Sequence, residues 1–340
     1  MDIRKHILSL AKKVNGTVIL PESTDARVLT AAQMLVKDGV AKVVLPADNV
    51  EDVKKAAISA GVSLDGMEII KMDMALLDEQ KIETFVRTRQ KKGMEPQAVL
   101  DLLKQPLYFS MMYLQSGKCD ACVCGAVYDT ADVLRAAIRV IGTAEGINYV
   151  SSYFMMIPPE NHKVIKEPVL FADCGVNFEP DAIGLKDISV STALNFKKFF
   201  PERNANIALL SFSTKGSAKN QVLQKILGAV LLLKEHFKND KSVNVDGELQ
   251  FDAAIIPSVA KRKAPDSDVA GKANIFIFPD LNAGNIGYKM AERLGGFQAL
   301  GPIIQGLALP VSDLSRGSSV DDIYLVAAIM LVSCTKSNLC

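Results

Sequence analysis

Apolar residues recur along this chain with two alternating periods. Ile3, Ile7, Leu10, Ala11 and Val14 fall at the spacing of one helix face, and the short run TVIL (17–20) behind them reads as a buried strand. A helical stretch over 26–38, closed by Gly39, and a second apolar run, KVVL (42–45), complete a β-α-β unit. The order then repeats. Strands are predicted at 121–127, 168–172, 206–213, 252–256 and 274–278, most of them followed by a polar loop and a helical segment. Strands separated by helices favour an α/β fold with largely parallel sheets. Ligands of such sheets collect beyond the carboxyl ends of the strands, so the loops after those runs are where chemistry is to be sought. The polar stretch TAEGINYVSS (143–152), between a helix at 131–141 and a new apolar run, is read as a crossing between domains.

Composition narrows the classes. At 340 residues, 49% of them apolar, the chain suits about two domains of roughly 150 residues each. A core of that size needs no disulfide or structural metal to hold it. Thirty-nine Lys plus Arg stand against 38 Asp plus Glu, a net charge of +1 without the broad positive field that duplex nucleic acid requires, so no nucleic acid is expected as a partner. Six cysteines at irregular spacing fit a chain kept reduced in the cytoplasm. Cys119, Cys122 and Cys124 form C-x-x-C-x-C, but two of them lie inside an apolar strand run, where cysteine is a small buried hydrophobe; no metal site is expected there. The longest apolar runs, such as 325–332, fall short of the ~20 residues that span a bilayer, so no membrane association is expected. The N-terminus reads as an ordinary first helix and not as a targeting peptide.

Common catalytic signatures are missing. There is no G-x-x-x-x-G-K-[ST] loop, no G-x-G-x-x-G after a strand and no G-x-S-x-G elbow. His6, His162 and His236 lie far apart, which leaves little for a zinc site or a Ser-His-Asp triad. The basic run over 81–104, with Arg87, Arg89, Lys91 and Lys92, has a solvated helix face as its plain reading.

Three loops carry candidate chemistry. After the strand ending at Ser213, the loop Thr214-Lys215-Gly216-Ser217-Ala218 leads into a helix predicted from about 219 to 233; it suits an anion, and a capped helix start with a glycine turn explains it equally well. The run 274–289 (NIFIFPDLNAGNIGYK) places Asn282 and Asn285 in a density of small polar residues that packing alone does not readily explain. The stretch 311–323 (VSDLSRGSSVDDI) sets Ser315, Arg316, Asp321 and Asp322 beside a helix starting near 320, capped by Ser318 or Ser319. With Ile323, Val326, Ala327 and Met330 as its core face, at about 100° per residue Asp321 lies roughly 160° from Ile323 and Asp322 about 100° away, so Asp321 should face solvent and Asp322 flank the core. Arg316 supplies a planar fork for a phosphate or carboxylate, although helix-terminus roles would account for both aspartates.

Taken together, PESTDARVL (21–29), TADVLRAAI (130–138), FADCGVN (171–177), LLSFSTKGSA (209–218), DGELQFDAA (246–254), KAPDSDVAGKANIFIFPDLNAGNIGYK (263–289), GPIIQGLALPV (301–311) and DLSRGSSVDDI (313–323) closely resemble the phosphate acetyltransferases, in that family's order and over most of the chain. The resemblance implies two α/β domains of the isocitrate and isopropylmalate dehydrogenase type with an interdomain cleft, and a homodimer. It assigns 1–149 plus 306–340 to a first domain carrying the C-terminal active-site segment, and 150–305 to a second. It implies reversible acetyl transfer between coenzyme A and phosphate in acetate metabolism, with acetyl-CoA, acetyl phosphate and phosphate as small-molecule substrates and no permanently bound cofactor or metal. By matched motif, Ser315, Arg316 and Asp322 take the catalytic roles, and Arg27, Arg89 and Arg135 bind substrate or coenzyme A; Lys215, Asn282 and Asn285 join them as binding candidates. Departures are ESTDA at 22–26, where a glycine and a Glu are more usual, and Ala136, where the family often has Pro. The chain also matches the family's short form, without an N-terminal regulatory region. A butyryl-preferring relative, a non-catalytic acetyl-CoA-binding domain and a dehydrogenase of the same architecture are the alternatives.

Overall fold

The computed structural model describes residues 2–334. They form two compact units, one from 2–145 with 307–334 and one from 146–306. The 335–340 end of the expected first domain lies outside the described residues.

In the first unit, helix α1 (Ile3–Val14) opens on Asp2, whose carboxylate accepts the Lys5 N–H, and closes at Asn15 in the left-handed region. There follow β1 (Thr17–Ile19), α2 (Ala26–Lys37), β2 (Lys42–Ala47), α3 (Val50–Ala60), β3 (Met67–Lys71), α4 (Glu79–Gln90), α5 (Pro96–Leu102), α6 (Pro106–Gln115), β4 (Ala121–Cys124) and α7 (Thr130–Val140). The second unit holds β5 (Ser151–Ile157), β6 (Val169–Ala172), α8 (Ala182–Phe199), β7 (Ala205–Leu210), α9 (Gln224–His236), β8 (Val243–Leu249), α10 (Phe251–Ile255), α11 (Pro257–Lys263), β9 (Ile275–Ile277), α12 (Leu281–Arg293) and β10 (Gln298–Gln305). The chain then returns to the first unit with β11 (Val311–Asp313) and α13 (Val320–Ser333).

The first sheet runs β11-β4-β1-β2-β3 with every pair parallel, so the loops after β1, β4 and β11 emerge side by side at its carboxyl edge. The second runs β10-β5-β6-β9-β7-β8, parallel from β6 onward and antiparallel across β10, β5 and β6. Two mixed α/β units with largely parallel sheets are therefore what the alternating pattern predicted. The strands are apolar because they are covered on both faces: β4 and β6 are buried at every position.

The predicted strand at 252–256 is a helix, α10. Ala253 and Ala254 favour helix, and the real strand lies just upstream in β8, where the polar residues Asp246 and Glu248 mask it. The helix expected from 219 begins at Gln224, after a single 3₁₀ turn over Gln221–Leu223. The basic run over 81–104 is two helices, α4 and α5, with only Phe85 and Val99 buried on them.

Candidate active site

Three loops meet at the carboxyl edge of the first sheet. The loop after β1 supplies Glu22, Asp25 and Arg27. Glu22 is buried, and its carboxylate accepts the backbone N–H groups of Gly125, Ala126, Val127 and Tyr128 at 2.6–3.1 Å, so the loop after β4 is wrapped around it. That wrapping needs glycine at 125: its φ is +102°, and a Cβ there would sit 2.5 Å from both Asp313 Oδ1 and the Leu314 nitrogen.

Arg27, near the start of α2, spends all of its donors on protein oxygens. Nε and Nη2 grip Asp25 at 3.1 and 2.9 Å, Nη2 also reaches the Ala126 carbonyl at 2.8 Å, and Nη1 reaches the carbonyls of Arg316 and Ser318 at 2.7 and 3.1 Å. Asp25 beside it holds the guanidinium pKa above its ordinary value.

The third loop, after β11, carries the 315–322 stretch. Ser315 is exposed, and its hydroxyl accepts the Gly317 N–H at 3.2 Å. Arg316 points its guanidinium outward: its side chain is 69% exposed and pairs with Asp129 at 2.8 Å, itself 60% exposed. A pair that open to water contributes on the order of 0–1 kcal/mol and yields to a competing anion. Asp322 closes a capping box with Ser319, accepting its N–H at 2.8 Å and its hydroxyl at 2.7 Å on Oδ2; Oδ1 has no bond among the described residues. Asp321 faces solvent as expected, but the expectation that Asp322 flanks the core needs correcting. Both are exposed, and Asp321 forms a two-pronged ion pair with Arg4. The helical wheel misleads because α13 is buried on every side from Ile323 to Val332, so it has no single core face to measure from.

Beneath this loop Asp313 is a residue the motif reading did not single out. It is only 3% exposed and its Oδ1 has no partner among the described residues. Burial raises its pKa to about 6, the Thr130 hydroxyl opposes the rise and the Glu22 charge adds to it. Its signal in the sequence was the buried strand position immediately before Leu314.

Arg89 and Arg135 stand apart from these loops. Arg89, on α4, lies over the Phe85 ring, and its Nε is buried without a partner among the described residues. Burial, and then the charge of Arg139, lowers its pKa. Arg139 sits one turn along α7 from Arg135 and donates to the Tyr108 hydroxyl at 3.2 Å. No carboxylate pairs with Arg89 or Arg139 among the described residues, whereas Arg135 is exposed and pairs with Asp132. The two guanidiniums lie near enough for one charge to act on the other, and the sequence reading did not single out Arg139. A separate hollow of about 470 Å³ opens between the loops after β1 and β2, lined by Glu22, Ser23, Thr24, Asp48, Asn49 and Tyr128 among others; none of the 315–322 residues line it.

In the second unit the candidate donors are already engaged. Lys215 is ion-paired with Asp246, and the Glu248 carboxylate accepts both the Gly216 N–H and the Ser213 hydroxyl at 2.8 Å. Carboxylates of the protein itself thus answer the donors of this loop. Asn282 is exposed, and Asn285 donates to the Cys174 carbonyl at 3.2 Å. Packing explains more of the 274–289 run than its composition suggested: Asp280 caps α12, and a Cβ on Gly284 would stand 2.2 Å from the Asp173 carbonyl oxygen.

Fold and edge together define an α/β protein with polar and charged loops gathered at the carboxyl edge of a parallel sheet. The chain belongs to the family described as phosphate acetyl/butaryl transferase, whose model matches residues 2–331, and it is an acyltransferase. It is 43% identical over 336 residues to the phosphate acetyltransferase of Acetivibrio thermocellus, covering 98% of each chain. A solved phosphotransacetylase from Streptococcus pyogenes superposes with a TM-score of 0.89 at 40% identity, covering 98% of this chain and 99% of that one. A solved structure named as a 4-hydroxythreonine-4-phosphate dehydrogenase, from Salmonella typhimurium, shares the fold alone, at TM-score 0.54 and 11% identity, covering 93% of this chain and 99% of that one.

Proposed function

We propose that this enzyme transfers an acetyl group reversibly between coenzyme A and phosphate, acetyl-CoA plus phosphate giving acetyl phosphate plus coenzyme A, by direct attack in a ternary complex. Kinship with phosphate acetyltransferases over nearly the whole chain carries this reading. The coenzyme A sulfur forms the new bond to the acyl carbon, the acyl carbon–oxygen bond to phosphate breaks, and the thiol proton passes to Asp322. No protein nucleophile is needed, because holding two reactants in register contributes on the order of 7–11 kcal/mol and acetyl phosphate is already activated.

Arg316 displaces its exposed Asp129 partner to clamp the phosphoryl oxygens and steady their charge as phosphate leaves. Ser315 donates to the developing oxyanion. Asp322 keeps Oδ1 for the thiol while Ser319 holds Oδ2. The proton reaches Asp322 in concert with carbon–sulfur bond formation. Arg89 and Arg139, with Arg135 one turn away, hold the anionic groups of coenzyme A. Coenzyme A is thus a substrate, with no cofactor permanently bound. The enzyme works as a cytoplasmic homodimer in acetate metabolism.

Purified protein mixed with coenzyme A and acetyl phosphate forms thioester, followed by absorbance; no thioester at any pH between 6 and 9 rejects the reading. Asp322→Asn loses most of its turnover with KM values nearly unchanged, and near-full turnover removes the base assignment.

A further inference from the structure

We propose that Arg27 is a positioning residue, which fixes the backbone carrying Arg316 and binds neither substrate. The proposal rests on the acyl-transfer reading above. A guanidinium has five N–H donors, and Arg27 makes five hydrogen bonds, all to protein oxygens. Its charge is matched by Asp25, held by two of those bonds, so an arriving phosphate meets neither a free donor nor a free charge. The other three bonds go to the carbonyls of Ala126, Arg316 and Ser318, which belong to the loops after β4 and β11.

The carbonyls of Arg316 and Ser318 bracket Gly317, the most pliant point of the loop. Pinning both sides of that glycine sets the direction in which the Arg316 side chain leaves the backbone. Glu22 grips the same β4 loop from below through its four amide contacts, so the segment after β1 holds both neighbouring loops. Arg316 has no comparable restraint on its own guanidinium, whose single ion pair is exposed. Its placement therefore depends on its backbone.

The test is a kinetic cycle with Arg316, using coenzyme A and acetyl phosphate as probes. Arg27→Gln should lower kcat about 10- to 100-fold and leave KM for both substrates within about 3-fold. In an Arg316→Ala background, adding Arg27→Gln should cost less than about 2-fold more, because a residue acting only through Arg316 has nothing left to position. Arg27→Lys keeps the charge but cannot reach three carbonyls and Asp25 together, so it should show the same kcat loss; it replaces Arg27→Gln in the cycle if that variant melts below assay temperature. The proposal is overturned by a KM for either substrate that rises about 10-fold or more at unchanged kcat, by losses that multiply in the double variant, or by a single variant as active as wild type. Wild-type protein that forms no thioester overturns the acyl-transfer reading itself, whereas an active wild type with any of those variant results overturns this proposal alone.

Discussion

The loop after β7 in the second unit and the loop after β11 in the first look alike in sequence: small polar residues, a glycine and a basic side chain following a buried strand. They differ in what answers the basic group. Lys215 is met by Asp246, which is only 4% exposed, and the neighbouring N–H and hydroxyl donors by Glu248 at 2%. Among the described residues, Arg316 is met only by Asp129, in open water. A donor set answered by buried carboxylates is structure, since displacing them would strand charges in the interior. A donor set answered only at the surface is available to a ligand. Arg27 shows the first behaviour inside the same site as Arg316, so the contrast separates neighbouring residues as well as units.

Removing the available group should have the largest effect. Arg316→Ala is expected to lower kcat by about 10²–10³, the range seen when one preorganised charge-stabilising donor is lost, with the melting temperature unchanged. A loss in stability without a loss in rate would erase the contrast. Asp313→Asn tests the buried layer under the same loop. The folded pKa of Asp313 is about 6 against an ordinary 3.8, so between those values the folded state keeps a proton that the unfolded chain has released. Stability therefore falls as pH rises from about 4 to about 6, and the cost, fully present above 6, is on the order of 3 kcal/mol. Melting curves from pH 4 to pH 8 should show the Asn variant equal to wild type at the acid end and more stable at the neutral end. A constant difference across that range refutes the assignment.

Lys215→Met should act in the opposite sense to Arg316→Ala. Leaving Asp246 buried without its partner costs roughly 1–3 kcal/mol, read in urea unfolding, while kcat and KM per folded molecule stay at wild-type values. A raised KM for phosphate would make this loop a ligand site after all. Arg89→Met is the mildest. It removes half of the unpaired guanidinium couple and is expected to raise KM for coenzyme A about 10-fold, or about 1.4 kcal/mol, with kcat little changed.

Much of the fold was legible from local pattern. The alternation of apolar strand runs with amphipathic helices gave the α/β class, and the termini of α2 and α7 fall within a residue of the ranges 26–38 and 131–141 read from the sequence. The failures share a cause. β8 was missed because Asp246 and Glu248 make it polar, and those side chains are tolerated inside only because Lys215 and the Ser213–Gly216 loop satisfy them from elsewhere in the chain. Arg139 was missed because a lone arginine on a helix reads as a solvated residue; only the fold brings its charge to bear on Arg89.

By itself the sequence determined which residues could do chemistry and which family order they follow, because motifs are strings and survive without coordinates. It also determined the α/β class, since helical and strand periodicities are properties of neighbours along the chain. Only the tertiary structure decided which donors remain unspent. Arg27, Lys215 and Arg316 are equivalent as letters, and the first two lose their freedom to oxygens brought to them by folding: Asp25 and the carbonyls of Ala126, Arg316 and Ser318 for one, Asp246 for the other. Hydrogen-bond capacity is finite, and how it is shared out depends on distances that no run of residues encodes locally.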